Sequence, residues 1–233
     1  MDFDFKHYIS DASAATAPAR VDYAQVGDAP PPRKNQFEFE KFSQIDRDKK
    51  ITSAETVFVG SSTFAWWNSL EDDFKEEKAI NRAIGGTVVK DIDENLDDLV
   101  LKYKPKNVVV YSGINDISRG GEPEQVQKDV EQLERNIHDK LPDAEIYVLA
   151  PSESPQFKHL AEKYRRADEL IRNYLAKRPR THFIDTPKVM HDANGTLRSD
   201  LFLPDNTHPN KRGYDEVLKP LIKNALRPAE RSF

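Results

Sequence analysis

Five short apolar or β-branched runs, at residues 56–59, 79–83, 107–111, 145–149 and 182–184, alternate along this chain with segments of helical period. In 89–104, Ile92, Leu96, Leu99, Val100 and Tyr103 fall on one face, and 125–141 and 159–176 repeat the pattern. Parallel strands cannot be joined by a tight hairpin; they need a crossover, usually a helix that covers the sheet. Strand, helix, strand, repeated in this way, predicts an α/β sandwich on a parallel sheet. An amphipathic helix is expected over 37–49, where Phe39, Phe42 and Ile45 recur about one turn apart. The 233 residues, 37% of them hydrophobic, suffice for one principal core.

Residues 1–34 show little periodicity and end in the proline-rich DAPPPRK, so the expectation is an N-terminal tail or arm, with the domain spanning 35–233. Phe3, Phe5 and Tyr8 could pack that arm on the body or on a second copy of the chain, making a homo-oligomer. The start has neither the basic residues nor the apolar core of an export signal. The chain as written is therefore expected in the cytoplasm, and in the periplasm or outside the cell if it is a trimmed mature form. No apolar run of about 18 residues predicts a membrane span. With 35 Lys+Arg against 40 Asp+Glu, a net charge of −5, nucleic acid is not an expected partner. The absence of cysteine excludes disulfides, thiolate zinc sites and cysteine nucleophiles.

Sites in open parallel sheets form outside the carboxyl ends of the strands. There the sequence reads Gly60-Ser61-Ser62-Thr63 after the first run, Ile84-Gly85-Gly86-Thr87 after the second and Gly113-Ile114-Asn115-Asp116 after the third. The last helical segment is preceded by LFLPDNTHPNKRGY, with Asp205 and His208 three positions apart. Each block alone reads as a turn, but the blocks in this order are specific. The chain resembles the SGNH (GDSL-type) hydrolase family of esterases and acylhydrolases, whose four blocks are built around Ser, Gly, Asn and His. Here those positions are Ser62, Gly86, Asn115 and His208, with the family's aspartate on Asp205. INR before the glycines, YKPKNVVVYSG before the third block and NKRGY after the histidine extend the resemblance over residues 37–226. It implies a three-layer α/β/α sandwich with a mainly parallel, flavodoxin-like sheet of five strands. One departure stands out: the family's GDSL reads GSST, so Ser61 replaces the aspartate and Thr63 the leucine.

The resemblance implies a serine esterase that cleaves carboxylic esters through an acyl-enzyme on Ser62. A serine hydroxyl needs a base to take its proton as it attacks, and the imidazole of histidine ordinarily titrates near neutrality. His208 is the implied base, and Asp205 would hold its ring in the right tautomer and stabilise the imidazolium. Pro209 discourages helical geometry at His208, leaving both residues on one loop. Charge developing on the carbonyl oxygen would be met by the Ser62 N–H, the Gly86 N–H and the Asn115 side-chain amide. Simple esters, lipids, thioesters and acetylated sugars are all within the family's range. A small ester or a sugar acetate is expected here over a long-chain lipid, because the sequence shows no long apolar lid. Carbohydrate O-acetyl esterase and thioesterase activities are the alternatives within the family.

Trp66 and Trp67 follow the nucleophile and could be core residues or a wall of the substrate pocket. Ser61 and Phe157 are further candidates for substrate contact, as are Glu153 and Ser154 in APSESPQFKHL after the fourth run. The histidines at 7, 138, 159, 182 and 191 show no metal-ligand spacing, His138 and His159 reading as surface residues of helices, and no metal or cofactor is expected. The competing reading of another class is a non-catalytic α/β module in which GSST at a helix N-terminus cradles a phosphate or carboxylate.

Overall fold

The computed structural model describes residues 35–227, so the expected arm at 1–34 and its aromatic side chains lie outside the described residues. The runs become β1 (Thr56–Gly60), β2 (Ala79–Asn81), β3 (Asn107–Tyr111), β4 (Glu145–Leu149) and β5 (Thr181–Ile184). They form one sheet in the order β2-β1-β3-β4-β5, and every neighbouring pair is parallel. This is the flavodoxin-like order, whose direction of winding reverses between β1 and β3.

Burial on both faces explains why the strands read as unbroken apolar runs. Val57, Val59, Val108, Val110, Ile146 and Val148 point to one face, where Ile92, Leu96, Val130, Leu133, Ala167 and Ile171 cover them. Phe58, Val109, Tyr111, Tyr147 and Leu149 alternate with these and point to the other, under Phe64, Trp67, Phe74, Leu218 and Ile222. Two separate clusters on opposite faces of one sheet make the three layers.

The long helices Pro123–Lys140 and Ala161–Leu175 match the expected segments, and the first amphipathic helix is Gln36–Lys49. Residues 89–104 differ. They break into Val89–Asp93, Leu96–Leu99 and a 3-10 turn, Leu101–Tyr103, although Ile92, Leu96, Leu99, Val100 and Tyr103 are all buried as the periodicity requires. Asn95 sits at the first break and donates through Nδ2 to the Asp91 carbonyl at 2.8 Å, a local bond that competes with helix continuation. His138 also departs from expectation: it is mostly covered, with Nδ1 2.6 Å from Glu134 Oε1 and Nε2 3.1 Å from the Ala144 carbonyl. His159 is exposed, in the 3-10 turn Pro155–Leu160.

The arginine of INR is structural. Arg82 is 1% exposed; its Nε donates to Tyr103 Oη at 2.7 Å and its guanidinium pairs with Asp46, which fastens the first helix to the sheet edge. Tyr103 in turn donates to Asp46 Oδ2 at 2.7 Å, so each buried polar group has a partner.

Asp168, on Ala161–Leu175, is the opposite case. It is 7% exposed, its Oδ1 has no hydrogen-bond partner, and burial pushes its carboxyl up to about 8, with Asp185 adding and Arg172 opposing. An unfolded aspartate titrates near about 4. Between about 4 and about 8 the folded state therefore holds more protons than the unfolded state, and stability falls as pH rises through that window. Asp168→Asn keeps the shape without the ionisable group. Thermal melts should show the variant more stable than wild type at pH 8 by at least ~3 °C, the gap closing toward pH 4.

Candidate active site

At the carboxyl end of β1 the chain must turn sharply beside β3. Gly60 has φ +153°, and a Cβ there would stand 2.3 Å from the Tyr111 carbonyl oxygen. Gly60→Ala is expected to cost about 2 kcal/mol or more. It should show as a lowered melting temperature together with a disturbed site, because the next two residues line the cleft. Ser62 opens the short helix Ser62–Ala65, and Ser61 occupies the capping position without a side-chain cap bond. Neither serine is there to cap the helix.

The imidazole comes from the other end of the chain. Leu203 N–H donates to the His208 carbonyl at 2.8 Å, and Asn206 N–H to the Leu203 carbonyl at 2.9 Å, closing a tight loop. Asn206 takes φ +57°, a conformation asparagine tolerates better than most residues. Asn210 holds the loop's base: Nδ2 donates to the Asp200 and Phe202 carbonyls at 2.8 and 3.0 Å, and Oδ1 accepts the Arg212 and Gly213 N–H groups.

In this frame His208 Nε2 lies 2.8 Å from Ser62 Oγ, and Nδ1 lies 2.7 Å from Asp205 Oδ2. Asp205 Oδ1 accepts the backbone N–H groups of Thr207 and His208 at 2.9 and 3.0 Å. Partial burial works against the charged carboxylate, but the His208 ring and these two N–H groups outweigh it and hold the carboxyl below its ordinary range. Asp205 is thus ionised at neutral pH. Trp66 covers the imidazole, with ring centroids 3.8 Å apart and planes 32° from parallel.

The loop bearing Gly86 is held from three sides. Asn115 Nδ2 donates to the Thr87 carbonyl at 2.9 Å, Arg119 donates to the Gly86 carbonyl at 2.8 Å, and Thr87 Oγ1 donates toward the Gly60 and Ile84 carbonyls. Asp116 accepts the Val89 N–H at 3.2 Å, while burial pushes its carboxyl up to about 6. Gly86 has φ +77°, which glycine adopts without strain. A Cβ on neighbouring Gly85 would lie 3.9 Å from Ser62 Cβ, so this turn rests against the serine.

These groups share one cavity of about 290 Å³. Ser61, Ser62, Gly86, Asn115 and His208 line it, and so do Trp66 and Phe157. Trp67 does not, which corrects its place among the substrate-contact candidates. It is 2% exposed, packed against Phe64, Phe74 and Tyr214, with Nε1 donating to Asp73 Oδ2 at 2.8 Å. The helix ends at Ala65, so consecutive tryptophans diverge, one to the cleft and one to the core.

Sequence reasoning missed several supports. Arg119 was one; Asn81, whose Nδ2 donates to the Phe64 carbonyl at 2.7 Å, and Tyr214, whose hydroxyl donates to the Thr63 carbonyl at 2.9 Å, both brace the Ser62 helix. Their signals, INR and NKRGY, were visible without a readable role. Among the described residues no three of His, Asp and Glu gather as metal ligands would, and no helix is long and apolar enough to cross a membrane.

A parallel sheet of this order, with serine, glycine and asparagine at its strand ends and an Asp-x-x-His loop before the last helix, defines a hydrolase of the three-layer SGNH class. Residues 52–216 match the GDSL-like Lipase/Acylhydrolase family, and the chain belongs to it. It is 31% identical over 186 residues to platelet-activating factor acetylhydrolase IB subunit alpha1 of Bos taurus, over 77% of this chain and 78% of that protein. The Homo sapiens protein matches at 31% with 79% of its length covered. A GDSL-like lipase from Bacteroides thetaiotaomicron has the same fold, with a TM-score of 0.64 at 19% identity over 80% of this chain and 96% of that one. So does an acetylxylan esterase from Geobacillus stearothermophilus, with a TM-score of 0.60 at 17% identity over 75% and 95%.

Proposed function

We propose that this chain is a serine esterase that cleaves small carboxylic esters through an acyl-enzyme on Ser62. The observation that carries the reading is the unbroken relay from Ser62 Oγ to His208 Nε2 at 2.8 Å and from Nδ1 to Asp205 at 2.7 Å. An ionised Asp205 requires Nδ1 to carry the hydrogen, so Nε2 is left as acceptor and the Ser62 hydroxyl donates to it. That is the tautomer a general base needs.

Ser62 Oγ attacks the ester carbonyl carbon while His208 takes its proton. The charge formed on the carbonyl oxygen meets the Ser62 N–H, which opens a helix and has no intrahelical partner, together with the Gly86 N–H. Asn115 adds its second amide hydrogen, the first being engaged by Thr87. Fixed donors of this kind are each worth about 100- to 1000-fold in turnover. His208 then gives its proton to the departing alcohol, and a water, deprotonated by the same imidazole, releases the acid. Trp66 lays its indole face over the ring and favours the imidazolium that forms in both steps.

A cavity of about 290 Å³ suits a short acyl group. An acetyl group is the fitting choice, and the names of the acetylhydrolase relatives and of the acetylxylan esterase point the same way. A fluorophosphonate probe followed by peptide mass spectrometry tests the reading. The expected result is one covalent adduct, on Ser62, with turnover of p-nitrophenyl acetate; no adduct, or an adduct on Ser61, overturns it.

A further inference from the structure

Gly86 reaches φ +77° without strain, yet glycine is also the residue with the most backbone freedom to lose. The N–H proposed to meet the oxyanion therefore sits on the residue least able to hold its own direction. Whatever aims that N–H must come from the contacts around it.

Three of those contacts come from one short helix, Ile114–Ser118, and the residue that ends it. Asn115 Nδ2 donates to the Thr87 carbonyl at 2.9 Å, Asp116 accepts the Val89 N–H at 3.2 Å, and Arg119 Nη2 donates to the Gly86 carbonyl at 2.8 Å. Arg119 N–H also donates to the Asn115 carbonyl at 3.1 Å. Residues four apart share a helix face, so these two side chains reach the same loop. The helix is itself seated. Tyr164 Oη donates to the Ile114 carbonyl at 3.2 Å. A Cβ on Gly113 would stand 3.2 Å from Val126 and from Pro151, in the loop that the Glu153–His191 bond of 2.9 Å pins down. After Arg119 the chain turns back at once, with Gly121 N–H donating to the Asp116 carbonyl at 2.8 Å.

The geometry points to Arg119 as a positioning residue of the oxyanion hole, one that holds Gly86 so that its N–H is aimed before the ester arrives. Of the three contacts, the Arg119 bond is the one made to Gly86 itself. The carbonyl and the N–H of Gly86 flank one Cα, so a bond to the first restrains the rotation that would swing the second away. Arg119 Nη2 also stands 3.4 Å from where a Cβ on Gly86 would lie. No described carboxylate pairs with this guanidinium, so an uncancelled positive charge lies beside the donor. A neutral ester carbonyl gains little from this arrangement, whereas an oxyanion needs donors fixed in advance. The effect therefore falls on kcat rather than on KM.

This role rests on the esterase reading of Ser62. Arg119→Met keeps a long side chain and removes the donor, and Arg119 is exposed, so the fold should tolerate the change. On p-nitrophenyl acetate, kcat should fall about ten-fold with KM within about two-fold of wild type and the melting temperature unchanged. Arg119→Lys keeps a cationic donor and should recover part of the loss. The second readout is inhibition by trifluoroacetone. Ser62 Oγ adds to its carbonyl carbon while His208 takes the proton, and the resulting oxyanion meets the same donors. The inhibition constant should rise in Arg119→Met in step with the loss of kcat. A kcat within about two-fold of wild type, or a loss of kcat with the ketone bound as tightly as before, overturns the role of Arg119 while leaving the esterase in place. A wild type that neither cleaves the ester nor takes a fluorophosphonate adduct on Ser62 overturns both.

Discussion

Ser62→Ala is expected to lower kcat/KM on p-nitrophenyl acetate by roughly 10⁴-fold or more, to the residual level that oxyanion donors and binding alone provide. On the proposed mechanism the attacking hydroxyl is then missing. Ser61 is the nearest hydroxyl in sequence, but it is 2% exposed and its N–H is bonded to the Tyr111 carbonyl at 3.2 Å. The bond to His208 belongs to Ser62. Ser61→Ala should therefore keep a substantial part of the activity, and the two variants measured side by side separate nucleophile from neighbour. Equal activity in wild type and Ser62→Ala would remove the assignment. Stability should change little in Ser62→Ala, because Ser62 makes no cap bond and alanine is a good helix former.

The layered fold was legible because strands buried on both faces have to be apolar throughout. The runs at 107–111 and 145–149 coincide with β3 and β4. The run at 79–83 was read two residues too long, since Asn81 bends the chain by accepting the Ala83 N–H at 3.0 Å on its own Oδ1. Periodicity also named the buried face of 89–104 while missing its breaks. Which side chains face inward depends on burial, whereas the first break is a local matter, marked by the bond from Asn95 Nδ2 to the Asp91 carbonyl.

In the site, the residues that define the resemblance sit just past strand ends, Ser62 and Asn115 in the first turn of short helices and Gly86 and His208 on loops, and these positions could be read. The supports could not. Arg119 reaches Gly86 across 33 positions, and Tyr214 reaches Thr63 across 151. Such contacts have no spacing signature, because they exist only once the strand ends converge. The tryptophan pair illustrates the same limit. Helical extrapolation past Ala65 gives no reason to send Trp66 over His208 and Trp67 into the core; the chain leaves the helix between them. The Glu153–His191 pair joins segments 38 positions apart and was equally invisible.

Asp205→Asn is expected to reduce kcat by about 10³- to 10⁴-fold while leaving the fold intact. The carboxylate does two jobs with two oxygens: Oδ1 accepts the Thr207 and His208 backbone N–H groups, and Oδ2 accepts the ring Nδ1–H. An asparagine oxygen is needed by the two N–H groups that shape the loop, so its amide nitrogen must face Nδ1. That nitrogen donates, which obliges Nδ1 to accept and moves the ring hydrogen to Nε2, where it points at Ser62. The imidazole then cannot take the serine proton, although every heavy atom stays in place. Asp205→Ala removes the tautomer constraint as well as the loop bonds, so it should lose loop order in addition to activity. Because the wild-type carboxyl is held below its ordinary range, Asp205 stays ionised across the working pH and does not set the acid limb of the rate profile. Crystals of Asp205→Asn with an unchanged Ser62–His208 distance and a loss below about ten-fold in kcat would show that the ring does not depend on this carboxylate for its tautomer.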